Sequence, residues 1–178
     1  MTPSPDIVLE SWSPDRTMKE AHRIYAVYDA VFGDVSDEAD WVGQTLEKHR
    51  ARDAFRFVAA LKADAMIGFA YGYVGQRGQW WPDRVVETLP KDVTDDWVGG
   101  HFEFVELAVL SPYRRQGIGG RLHDVLMADL PTERALLGTD DTDSPAAHLY
   151  RSRGWFKIGN LTRDVAVLGW TAGDKVAE

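Results

Sequence analysis

The segment that most limits how this chain can fold lies late in the sequence, where a strand, a glycine-rich turn and a helix follow one another. Phe102 to Leu110 is a near-continuous apolar run, the pattern of a strand covered on both faces. Pro112 closes it. Arg114-Arg115-Gln116-Gly117-Ile118-Gly119 comes next, and Ile118, Leu122, Val125, Leu126 and Leu130 then recur at helical spacing until Pro131. The first turn of a helix exposes backbone N–H groups that lack an internal partner, and the aligned peptide dipoles add positive charge there. Glycine lets an anion approach that backbone directly. Gly117, Gly119 and Gly120 provide such access, and Arg114, Arg115 and Arg121 add charge. The matching ligand is a pyrophosphate. The plainer alternative is a turn with a weakened helix start. Three glycines inside a helix cost roughly 1 kcal/mol each, a cost more readily kept where the backbone must approach something.

Two common nucleotide motifs fail on residues. A phosphate loop needs Gly-x-x-x-x-Gly-Lys-Ser/Thr, and no lysine follows here. The dinucleotide fingerprint needs Gly-x-Gly-x-x-Gly straight after a first strand, whereas this turn is late, follows a proline and has other glycine spacing.

The rest of the chain supplies a scaffold. Asp6 to Trp12 reads as a strand, and Ser13-Pro14 opens a helix carrying Met18, Ala21, Tyr25, Tyr28 and Phe32, with Gly33 at its end. Ser36-Asp37-Glu38 caps a helix over Glu38 to Arg50. Ala54 to Leu61 and Met66 to Val74 form a hairpin. A long connector, Gly75 to Gly100, has room for one short helix near Arg84 to Leu89. Arg134 to Gly138 predicts a strand, Asp143 to Arg153 a helix, and Trp155 to Gly159 and Asp164 to Trp170 two strands. Strand, helix, strand, helix, strand implies an α/β sheet with at least one parallel crossover.

A length of 178 residues favours one domain, residues 1–178, large enough for a substantial core. The net charge of −8 disfavours nucleic acid and anionic membrane as partners and favours cationic small molecules. With no cysteine, disulfides, thiolate metal sites and cysteine nucleophiles are absent together, which fits a cytoplasmic protein. The five histidines show no His-x-x-x-His spacing, so no metal site is expected. Met1-Thr-Pro-Ser-Pro-Asp6 lacks the basic-then-apolar pattern of a secretion signal, and no apolar run is long enough to span a bilayer.

The turn resembles motif A of the GNAT N-acetyltransferase superfamily, Arg/Gln-x-x-Gly-x-Gly/Ala, through Arg114, Gly117 and Gly119. Leu107 to Tyr113 looks like the central fourth strand of that family and the turn after it. Ala146, Leu149, Tyr150 and Gly154-Trp155 resemble its Asn-x-x-Ala-x-x-Leu-Tyr…Gly-Phe helix, with Asp143 where asparagine is usual. The resemblance covers about Phe102 to Asn160. It implies a mixed, mostly antiparallel α+β sheet with a splayed parallel pair in the middle, flanked by about four helices. It also implies acetyl-CoA as cosubstrate. The pyrophosphate would rest on Arg114, Arg115, Gln116, Gly117, Ile118, Gly119 and Gly120, and the pantetheine arm on backbone groups of Leu107, Ala108 and Val109. Dimers are common among proteins of this kind, so a homodimer is compatible with it.

The implied reaction is acetyl transfer to a primary amine of a small molecule or peptide, by direct attack in a ternary complex. The amine must be neutral, the carbonyl oxygen needs donors and the leaving thiolate needs a proton. By resemblance Tyr150 is the acid. Glu106, then Glu103, are candidate bases, because each is a carboxylate in an apolar strand. Strand alternation puts them on opposite faces, with Glu103 nearer the strand's wet end. His101, after two glycines, reads as exposed. In the connector, Trp80 and Trp81 are candidate acceptor-binding rings, with core filling as the alternative. The acidic turn Asp34, Asp37, Glu38, Asp40 could steer a cationic amine or simply cap and solvate. A non-catalytic acyl-CoA sensor of the same fold is the other functional class.

Overall fold

The computed structural model describes residues 6–173, so most of the N-terminal segment read for a leader lies outside the described residues. Seven strands form one sheet in the order β1-β2-β3-β4-β5-β7-β6. They are β1 (Ile7–Trp12), β2 (Arg56–Lys62), β3 (Ala65–Gly75), β4 (His101–Val109), β5 (Arg134–Asp140), β6 (Phe156–Thr162) and β7 (Val165–Thr171). β1 with β2, β2 with β3, β5 with β7 and β6 with β7 are antiparallel. β4 and β5 are parallel, paired at Phe102↔Ala135 and Glu103↔Leu136. The mixed sheet expected from the resemblance is therefore observed. Between β2 and β3, Ala63 and Asp64 both adopt positive φ (47° and 66°), as a mirrored two-residue hairpin turn requires.

The helices are more numerous than expected because several break. The first expected helix divides at Glu20 (φ −96°, ψ 10°) into α1 (Pro14–Lys19) and α2 (Ala21–Val31). Ser13 Oγ accepts from the Arg16 N–H at 3.1 Å, the cap that its sequence position predicts. Asp37 caps α3 (Glu38–Trp41), and the chain continues through a π-helical turn, Val42–Leu46, into α4 (Glu47–Arg50). The 75–100 connector holds two helices, α5 (Trp80–Thr88) and α6 (Lys91–Trp97), not one short helix in a loop. Trp81, Val85 and Leu89 recur every fourth residue there, and Pro82 and Pro90 stand at helix starts, where proline is tolerated. α7 (Ile118–Met127) ends before Leu130 because Arg56 donates from β2 to the carbonyls of Leu126, Ala128 and Asp129 at 3.1, 2.5 and 2.7 Å. α8 (Pro145–Ser152) is capped by Ser144, which accepts from the Ala147 N–H.

Two compact units each carry a core. One joins the residues up to Tyr73 with Val105–Asp129; the other joins Val74–Phe104 with the residues from Leu130 onward. In the first, Ile24, Tyr28, Trp41 and Leu46 pack with Trp12, Phe57, Phe69 and Tyr71. Phe57 stacks on Trp12 and Phe69 at 5.4 and 5.5 Å. Full burial of each such ring contributes roughly 1.5–3 kcal/mol. In the second, Val85, Leu89, Val98, Leu136 and Val167 form the core, with Trp81 and Trp97 packed against it. Among the described residues no helix is long and apolar enough to cross a membrane.

Candidate active site

β4 leads through a 3₁₀ turn, Ser111–Tyr113, and an extended Arg114 to Gly117, the N-cap of α7. Gly117 has φ +77°, the left-handed region that glycine enters without strain, and a Cβ there would meet nothing within 4 Å. Arg115 also has positive φ, 60°. The chain is thus bent sharply into the helix, and the ground over Gly117 is open. No acidic residue occupies the first turn of α7, so its positive end is not offset from within. Gln116 Nε2 donates to the Pro112 carbonyl at 3.4 Å. Arg114 and Arg115 are exposed, and Arg114 Nε donates to the Val109 carbonyl at 3.0 Å, tying the turn to the strand end. Arg121 differs from expectation: its guanidinium donates to the Ile7 carbonyl at 3.2 Å and braces β1. Ile118 and Gly120 are buried and Gly119 is half-buried. Ala108 is buried in the first core, with Leu107 and Val109 half-buried beside it.

The two carboxylates of β4 have different surroundings. Glu106 is half-buried in the first unit. Burial first, and the nearby Asp34 charge second, push its carboxyl up to about 8. Its surface keeps some contact with water, yet the protein around the carboxyl still strips most of its solvation. Neither a hydrogen-bond donor nor a cation among the described residues offsets that cost. Tyr28, on α2, donates to Asp34 Oδ1 at 2.7 Å. Burial, then that bond, then the Glu106 charge hold the Tyr28 phenol above its ordinary range.

Glu103 is buried in the second unit, not at a wet strand end, and His101 is wholly buried, not exposed. Gly99 and Gly100, at φ +105° and +72°, turn the chain inward so that β4 begins at His101. The imidazole lies against Gly75, where a Cβ would sit 2.5 Å from Nε2. Nδ1 accepts the Gly99 N–H at 3.0 Å, which leaves the ring proton on Nε2, 3.6 Å from Glu103 Oε1. Glu103 and His101 therefore form an internal pair.

Tyr150 is held by α8 with 7% of its surface exposed. Its ring meets Phe104 and Trp155 edge-on, with centroids 6.0 Å from each. Asp143 precedes the Ser144 cap and pairs with His148 at 2.9 Å. The two connector tryptophans part company. Trp80 is 76% exposed at the start of α5, whereas Trp81 packs over Gly138 into the second core. Trp97 packs edge-on against Phe156 at 5.6 Å. No group of three metal-ligating side chains occurs among the described residues.

The role of Tyr28 escaped the sequence reading. Its spacing marks it only as a helix-face aromatic, and its hydrogen bond depends on how the α2–α3 loop returns. That loop is pinned twice, since Tyr25 also donates to the Val35 carbonyl at 2.7 Å.

The pattern of the acetyltransferase (GNAT) family matches residues 16–155. The GCN5-like protein acetyltransferase Rv2170 of Mycobacterium tuberculosis is 35% identical over 127 residues, which is 64% of this chain and 62% of that protein. The match thus spans less than two thirds of that relative's length. Among solved structures, the PaiA N-acetyltransferase of Thermoplasma acidophilum in complex with coenzyme A superposes with a TM-score of 0.62 at 13% identity, covering 93% of this chain and 98% of its own. The ribosomal-protein-S18-alanine N-acetyltransferase of Escherichia coli gives 0.62 at 14% identity, covering 97% and 99%. At these identities the superpositions establish the fold.

Proposed function

The chain belongs to the acetyltransferase (GNAT) family, and on that premise we propose that it is an N-acetyltransferase that moves an acetyl group from acetyl-CoA to a primary amine by direct attack. The observation that carries this reading is the turn into α7: an open left-handed Gly117, no acid in the first helical turn, and exposed Arg114 and Arg115 beside it. Those features suit a pyrophosphate. The backbone amides of Gln116 to Gly120 would hold it, and Leu107 to Val109 would line the pantetheine arm. A single domain over residues 1–178 is part of this proposal.

Acetyl-CoA supplies an activated acyl group. The residues of this chain supply proton management. Glu106 has a proton affinity near neutrality, the range in which a general base is effective, and takes the proton of the acceptor ammonium. The freed nitrogen bonds to the thioester carbon, the carbon–sulfur bond breaks, the Tyr150 hydroxyl gives its proton to the departing thiolate, and the second proton that the nitrogen sheds as it becomes an amide restores the Tyr150 hydroxyl. Glu103 is better suited to holding His101 and the start of β4. Trp80, exposed, is the connector ring still available to an acceptor; Trp81 is engaged in the core. The test is release of free thiol from acetyl-CoA across a panel of primary amines. Amine-dependent thiol release is expected. Binding of acetyl-CoA with no release for any amine would overturn the catalytic reading in favour of a sensor.

A further inference from the structure

β4 and β5 pair at their start, at Phe102↔Ala135 and Glu103↔Leu136, and among the described residues they do not pair at the next step, Phe104 and Leu137. The two faces of the sheet differ at that step. On one, the Phe104 ring meets Tyr150 of α8, with centroids 6.0 Å apart. Successive strand residues alternate in face and parallel neighbours share one, so Glu103, Leu136 and Gly138 look the other way. α5 covers that second face. Val85 packs with Leu136 in the second core, and a Cβ on Gly138 would stand 3.5 Å from Trp81 Cζ2 and 3.6 Å from Trp81 Nε1. The indole is thus laid over a bare stretch of β5 just past the point where the two strands part. It is half-buried and packed against the second core. The start of its helix is fixed as well: the Asp83 carboxylate accepts the Gly78 N–H at 2.7 Å, and the Asp83 N–H donates to the Gln79 carbonyl at 3.0 Å. A ring held in this way yields little to a group pressed against it. Glycine within a strand marks a place of close approach, and here it leaves the space between strand and indole unfilled by any side chain of β5.

We propose that Trp81, laid over Gly138, is a specificity-determining residue that limits the transferred acyl group to the size of acetyl. This rests on the acetyl-transfer reading above and goes on to say what sets the length of its donor. In that reading the Tyr150 hydroxyl protonates the departing sulfur, so the sulfur lies on the Tyr150 side of the step. The acyl carbons lead away from the sulfur, through the parting of the strands, toward the Trp81 side. Two carbons stop short of the indole, and a longer chain runs into it. Acyl groups of different length differ only in methylenes, so no hydrogen bond can tell them apart, and the discrimination falls to the shape of an apolar wall. The atoms nearest Gly138 belong to the fused ring system of the indole, and phenylalanine, which has no second ring, would vacate that space.

The test compares acetyl-, butyryl- and hexanoyl-CoA as donors, by thiol release, with the amine of the panel above that reacts fastest. The proteins are the wild type, Trp81→Phe, and Trp81→Phe combined with Gly138→Ala. The wild type should favour acetyl over butyryl in kcat/KM by at least about tenfold, the worth of a misfitting methylene in a closed pocket. Trp81→Phe should bring that ratio to about threefold or less. The double variant, whose added methyl refills the space over residue 138, should restore most of it. A merely structural role for Trp81 would lower all donors alike and leave the ratio where it was. Trp81→Leu, which keeps an apolar side chain against the core, repeats the comparison if urea unfolding shows that Trp81→Phe does not fold. An unchanged ratio in the folded variant, or a double variant as permissive as the single one, overturns the assignment of Trp81 while leaving acetyl transfer standing. Failure of every amine with acetyl-CoA bound overturns both.

Discussion

Glu106 makes the pH dependence of folding a direct test of the site. In the folded chain its carboxyl keeps a proton up to about 8, against an ordinary value of 4.5 once unfolded. Between those two values the folded state binds more protons than the unfolded state, so stability falls as pH rises. Each pH unit in that window costs about 1.4 kcal/mol, and the full window about 5 kcal/mol. Residue 106 keeps some contact with water, which reduces the effect, and about 2–3 kcal/mol should be lost by pH 8.5. Glu106→Gln keeps the shape and removes the ionisation. At pH 5 wild type and variant should unfold in urea within about 1 kcal/mol of each other. At pH 8.5 the variant should be the more stable by about 2–3 kcal/mol, a midpoint about 1 M higher for a slope near 2 kcal/mol/M. Other titrating groups cancel in the comparison. The same difference at both pH values would show that Glu106 holds no abnormal proton, and the base assignment would fall with it.

Tyr150→Phe should lower kcat by at least about tenfold with little change in KM, since the lost group acts on the departing thiolate; unchanged turnover would remove Tyr150 as the acid. Gly117→Val should weaken acetyl-CoA binding by calorimetry and cost about 1–2 kcal/mol of stability from the left-handed backbone; since a Cβ at this position meets no neighbour, a variant of unchanged affinity would place the pyrophosphate elsewhere.

The late half of the chain was legible because its signals are local. β4, the turn, α7 and α8 each follow from a periodicity or a cap within about a dozen residues. The connector was misread for an equally local reason: Pro82 and Pro90 look like breakers until they are seen at helix starts. The burial of His101 was out of reach because its pocket is made by Gly75, in another strand, and by two glycines whose φ no pattern announces. Alternation predicts opposite faces for Glu103 and Glu106, but it carries no information on which carboxylate lies beside a histidine and which feels the Asp34 charge. That difference comes from loop and strand placement, which only tertiary structure supplies.

The bond from Arg56 to the last carbonyls of α7 bears on more than where the helix stops. A helix of ten residues is about 15 Å long, and its two ends carry opposite partial charges. A guanidinium seated on the trailing end quenches the negative pole, while nothing acidic quenches the leading one. The rod is therefore electrically lopsided: it offers an anion an attraction that its own far end no longer opposes. A residue seventy positions upstream, on a different strand, thus adds to the pull felt at Gly117 without coming near it.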